Sequence, residues 1–144
     1  SLLILACISI ARDGKDFYEE AAQKVDDAEL KTLFARIATT KAKIVNDLSA
    51  AVQAAGGKPE DSGTLVGSMQ QMYGKIRAAF GDTEYGYVAE LEESEDRLLE
   101  AFDEAARDAD TPPAARDVIV RLLPEVRASH DVMRARKHAM KNNH

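Results

Sequence analysis

The sequence has little of what catalytic and nucleic-acid-binding sites usually need. It contains one cysteine, Cys7, so no intrachain disulfide and no Cys-x-x-Cys pair can form. It has no glycine-rich phosphate loop and no nucleophile beside a base. Its formal net charge is −6, and its one basic cluster lies at residues 134–141, where positive charge suits the last turns of a helix. We therefore expect no nucleic-acid partner.

Long hydrophobic runs are also missing. The longest, LLILACISI at residues 2–10, is too short to cross a membrane, which takes about 20 residues. It resembles the core of a signal peptide, but no basic segment precedes it and its apolar pattern continues at helical spacing. We expect a cytoplasmic protein without membrane contact. The first residue is Ser1 rather than methionine, which is consistent with residues missing upstream.

The chain has the length of one domain, and we assign residues 1–144 to it. Its bias toward alanine, leucine, glutamate, lysine and arginine favours helices over strands. Residues 17–22 read FYEEAA and residues 101–106 read AFDEAA, each near the end of a long helical pattern followed by a short turn and a second pattern. This repeat predicts two helix hairpins, and so an all-α four-helix bundle.

Caps and breakers predict where the helices begin and end. The second helix should start at a capping box of Asp26 and Glu29, and the fourth at Thr111 with Pro112 as its first helical residue. Pro124 should bend the fourth helix. With their caps, the predicted helices span residues 2–25, 26–55, 82–109 and 111 to the C-terminal end.

The connection between the second and third helices is too long for a simple turn. Apolar residues recur within it at helical spacing and predict a short extra helix: Leu65, Met69, Met72, Ile76 and Phe80. Such a connection can cross the whole bundle and leave the second and third helices parallel, as in ferritin-like bundles. An up-and-down bundle with a long middle loop is the alternative.

Each predicted helix carries an inward apolar stripe, and a charge interrupts two of them: Lys41 in the second helix and Glu95 in the third. At about 1.5 Å per residue, Lys41 lies roughly 21 Å and Glu95 roughly 18 Å along its helix, so a crossover places both at one level. Opposite charges at one level of a core predict a buried ion pair, because either alone would be costly. The alternative is that Lys41 extends to water along its stem.

The fourth helix has two further polar residues beside the central level, Glu125 and His130. A lone histidine beside a core is typical of a hydrogen-bonded packing residue, and a metal ligand is the alternative. We interpret the acidic cluster of the third helix as a solvated face: Glu90, Glu92, Glu93 and Asp96.

These residues resemble the ferritin-like superfamily, in which a glutamate lies seven positions before an aromatic residue, as Glu95 precedes Phe102 here. Within it, the chain is similar to a group of small bacterial four-helix-bundle proteins that form a domain of unknown function. Three stretches carry the likeness, RDGKDFYEEAA, GGKPEDSG and SHDVMRA, at residues 12–22, 56–63 and 129–135.

The resemblance implies a site for two iron or manganese ions, held by a glutamate on each of two helices and a Glu-x-x-His pair on each of the others. This sequence has Ala11 at the first position and Lys41 with Ile44 in place of one Glu-x-x-His, and its fourth helix has none. Glu95 alone remains clearly. We interpret the metal site as lost and expect no cofactor.

Two functions remain open. The first is a non-enzymatic bundle that acts through oligomerisation or partner binding. The alternative is a metal-dependent oxidase or peroxide-handling protein that uses Glu95, Glu125 and His130 as its weak set of ligands.

The first predicted helix favours association. Its N-terminal half has apolar residues all round, more than one core stripe can bury: Leu2, Leu3, Ile4, Leu5, Ile8 and Ile10. We expect a homodimer or larger homo-oligomer to cover the surplus.

Overall fold

The computed structural model of the chain describes residues 2–57 and 82–142, which form four helices. They are α1 (Leu2–Lys24), α2 (Ala28–Ala54), α3 (Thr83–Arg107) and α4 (Pro113–Asn142). This confirms the all-α four-helix bundle. The extra helix predicted between residues 64 and 80 lies outside the described residues. None of the helices in the described ranges is long and apolar enough to span a membrane.

The helices form a square in which α1 and α4 each pack against both α2 and α3. The backbone amides of Asp26 and Asp27, just before α2, donate to Glu84 Oε2 in the first turn of α3, at 3.2 and 2.8 Å. Helices α2 and α3 therefore begin at the same end of the bundle and run parallel. Arg136 near the end of α4 pairs with Glu29 at the start of α2, so α4 runs antiparallel to α2.

The cap of α2 differs from the prediction. Asp27 rather than Asp26 is the N-cap, and its side chain accepts from the Leu30 amide at 2.9 Å. Glu29, the predicted partner in a capping box, pairs with Arg136 of α4 instead. With Asp27 as the cap, Glu29 is the second helical residue rather than the third, and the Asp26 amide donates to Glu84 of α3.

The turn between α3 and α4 also differs in part. Helix α3 begins at an Asp82 cap as predicted, but α4 begins at Pro113 instead of Pro112. Thr111, the predicted cap of α4, is buried and donates its hydroxyl to the Ala105 carbonyl at 2.7 Å. It satisfies a carbonyl group in the last turn of α3, where no intrahelical partner exists.

The predicted inward stripes are buried on all four helices. Their side chains form two apolar clusters, one around Phe102 and the other around Tyr18 and Phe34. Between the clusters lie buried residues that are polar or lack a side chain, one each from α1, α2 and α4 and two from α3. We call these five the polar layer: Gly14, Lys41, Ser94, Glu95 and Ser129.

Candidate functional site

Lys41 and Glu95 meet in the polar layer at the centre of the bundle. Lys41 Nζ lies 2.5 Å from Glu95 Oε1, and the side chains are 2% and 1% exposed. Because α2 and α3 occupy opposite corners of the square, this contact passes between α1 and α4 through the middle of the core. The lysine does not extend to water.

Tyr18 of α1 is a third member of this site, and its role was not predicted. Its hydroxyl donates to Glu95 Oε2 at 2.6 Å, and the residue is fully buried. Each carboxylate oxygen of Glu95 therefore receives one donor, from Lys41 and from Tyr18. The sequence could have indicated this role, because Tyr18 is the hydroxyl-bearing residue of the α1 stripe and lies one turn from Gly14. Buried tyrosine hydroxyls usually have a hydrogen-bond partner.

The surroundings keep Tyr18 in its neutral, hydrogen-donating form. Burial raises the pKa of Tyr18 well above its usual range, and the charge of Glu95 together with the hydrogen bond to it raises this pKa further. One cation, one anion and one neutral donor thus form a closed network. We call Tyr18, Lys41 and Glu95 the core triad.

The residues at this level do not fit the pair of metal ions implied by the ferritin-like resemblance. Gly14 and Ser129 provide neither carboxylate nor imidazole, and Lys41 brings a positive charge that opposes a metal cation in the same space. The one carboxylate, Glu95, has both oxygens bound by protein donors.

Glu125 and His130, the other two predicted metal candidates, have partners away from Glu95. Glu125 Oε1 lies 3.0 Å from Lys43 Nζ between α4 and α2. His130 Nε2 lies 2.5 Å from Asp96 Oδ1 between α4 and α3. The two residues lie on opposite flanks of the inward stripe of α4, so they reach different neighbouring helices.

His130 lies instead with two acidic residues of α3, Glu92 and Asp96. One ligand atom from each of the three lies within 4.8 Å of the others, the one such group in the described part of the chain. His130 Nδ1 lies 3.1 Å from Asp131 Oδ1. Partial burial lowers the pKa of His130, but the hydrogen bonds to Asp131 and Asp96 outweigh it and raise this pKa overall.

Cys7 does not provide a nucleophile. The residue is fully buried in the apolar cluster around Phe102. Burial raises the pKa of its thiol to about 12, so the reactive thiolate is not formed near neutral pH.

Fold and site together define an all-helical bundle whose two apolar clusters are separated by a buried Tyr-Glu-Lys network. The family model for the domain of unknown function DUF2383 matches residues 5–108, more than half of the chain. The chain belongs to this family. No curated protein and no solved structure matches it.

Proposed function

We propose that this chain is a non-enzymatic bundle of the ferritin-like type that acts in the bacterial cytoplasm by associating with a second copy of itself. The core triad is the observation that carries the proposal. Lys41 holds a positive charge where a di-metal oxidase needs ligands, and Glu95 is already bound on both oxygens. One buried cysteine, inert as a thiol, agrees with a reducing compartment.

The direction of the helices supports the ferritin-like assignment. Helix α2 ends at the end of the bundle opposite to the start of α3, since both helices begin beside Glu84. The end of α2 and the start of α3 therefore lie at opposite ends of the bundle, as in ferritin-like proteins, whose second and third helices are parallel.

The N-terminal half of α1 supports association, although its own bundle covers much of the predicted surplus. Ile4 and Ile8 are buried, whereas Leu2 is 84% exposed. Leu3, Leu5 and Ile10 are half-buried. The exposed part of these side chains is the surface that a second copy would cover, with apolar burial as the driving force.

Metal analysis tests the non-enzymatic part. Protein purified without chelator should contain far less than one equivalent of iron or manganese, because Lys41 and Tyr18 occupy the carboxylate of Glu95. Elemental analysis of the wild type beside Glu95→Gln provides the comparison. Stoichiometric iron or manganese in the wild type that is lost in Glu95→Gln would replace this proposal by the oxidase alternative.

Sedimentation tests the association. At micromolar concentration the wild type should sediment as more than one chain, and Leu2→Glu should shift the particles toward single chains, because it places a charge on the proposed contact. Val120→Glu is the matched control, since Val120 of α4 is 56% exposed on another helix. A wild type that sediments as a single chain, or equal effects of the two variants, would contradict association through α1.

A further inference from the structure

A second group of metal-ligand residues lies outside the core triad, at the junction between α3 and α4. Glu92 and Asp96 are four positions apart on α3, so both side chains lie on one face of that helix. His130 reaches them from α4, and the ligand atoms of the three residues lie within 4.8 Å of one another. Two helices thus supply two carboxylates and one imidazole to the same small volume.

His130 is held in an orientation that suits metal binding. Its Nδ1 lies 3.1 Å from Asp131 Oδ1, and its Nε2 is directed at Asp96. Histidine ligands of metals typically donate one ring N–H to a carboxylate, which fixes the tautomer that leaves the other nitrogen free to bind. The side chain of His130 is 11% exposed, so its position is restricted, and Asp96 at 51% leaves a path from solvent.

The charges nearby also favour a cation. Glu92, Asp96 and Asp131 bring three negative charges, against the positive charge of Lys137. Lys137 Nζ lies 3.4 Å from Glu92 Oε1 and is about one-third exposed, so a metal ion can displace it into water. No lysine or arginine contact to Asp96 is found among the described residues.

We propose that Glu92, Asp96 and His130 form an exchangeable site for one divalent cation of the zinc type. Three protein ligands from carboxylate and imidazole, with a fourth position open to water, are a coordination that Zn²⁺ accepts, and Co²⁺ reports it spectroscopically. The bound ion would link α3 to α4 near the surface. This site is separate from the core triad. A negative result for Zn²⁺ binding would therefore not contradict the proposed non-enzymatic function, and the reverse also holds.

Calorimetric titration of EDTA-treated, dialysed full-length protein with Zn²⁺ tests the site. The wild type should bind one equivalent, and Asp96→Asn or His130→Gln should weaken binding by at least about tenfold, since even residues that merely orient ligands contribute that much. Lys137→Met should tighten binding, because it removes the competing ammonium from Glu92.

Three controls make the result specific. Asp103→Asn removes a carboxylate that pairs with Arg127 across the same two helices, and it should leave Zn²⁺ binding unchanged. Lys41→Met combined with Glu95→Gln, which leaves no unpaired charge in the core, should also leave it unchanged, which separates this site from the core triad. Absence of Zn²⁺ binding by the wild type, binding that survives both Asp96→Asn and His130→Gln, or binding lost instead in His138→Gln would overturn the proposal.

Discussion

Replacing Lys41 by methionine should lower the free energy of unfolding by about 3–5 kcal/mol, although methionine is itself well suited to a core. The loss arises because Glu95, 1% exposed, would be left in the core without the adjacent ammonium that compensates its carboxylate. Of the two donors that bind this carboxylate, the hydroxyl of Tyr18 would remain. Urea denaturation followed by circular dichroism measures the change.

Combining Lys41→Met with Glu95→Gln should recover part of that loss, because no uncompensated charge is left in the core. Lys43→Met is the matched control. Lys43 is two positions away on α2 and pairs with Glu125 at 3.0 Å, but its side chain is 53% exposed, so its removal should cost about 0–1 kcal/mol. A double variant no more stable than Lys41→Met, or equal losses for Lys41→Met and Lys43→Met, would refute the buried pair as the cause.

Replacing Tyr18 by phenylalanine should cost about 1.5–3 kcal/mol, the range for hydrogen bonds to charged groups. The ring is kept, so the loss reports the hydroxyl bond to Glu95 Oε2 and not a cavity. Tyr87→Phe is the control, because Tyr87 is equally buried but its hydroxyl lies 3.4 Å from the partly exposed Glu20. Tyr87→Phe should therefore be the milder change in the same denaturation experiment.

Tyr18→Phe should also change how the free energy of unfolding depends on pH in the alkaline range. The folded state raises the pKa of Tyr18, so the stability linked to its neutral form is present below the ordinary tyrosine pKa of 10.0. It is lost as the pH rises from that value toward the raised pKa. Tyr18→Phe should show a smaller loss of stability over this range than the wild type. An equal or steeper loss of stability in Tyr18→Phe would mean that the folded state does not raise the pKa of Tyr18.

The sequence was most informative where one physical requirement decided the outcome. Burial of an apolar stripe at helical spacing predicted which face of each helix turns inward, and all four faces are as expected. The same requirement located Lys41 and Glu95, because a charge within such a stripe is costly unless an opposite charge compensates it. Helix rise then related their levels, without any knowledge of side-chain geometry.

It was least informative where neighbours from different helices compete for one residue. Glu29 fits the pattern of a capping box with Asp26, yet Glu84 of α3 binds the Asp26 amide and the helix is capped by Asp27. His130 lies beside the stripe, where periodicity gives the flank but not the facing helix, so its closeness to Asp96 became visible only in the folded chain. Thr111 likewise bonds to the helix before it rather than the helix after it.

The polar layer also bears on which hairpins can pair. The internal repeat makes the α1–α2 hairpin similar to the α3–α4 hairpin, so two copies of the same hairpin, from two chains, have nearly matching apolar faces. In such a bundle two Lys41 ammonium groups, or two Glu95 carboxylates, would lie at the same buried level of the core and repel each other. Only unlike hairpins bring the opposite charges together. Placing one charge on each half therefore selects the pairing of unlike hairpins over the pairing of two copies of the same hairpin.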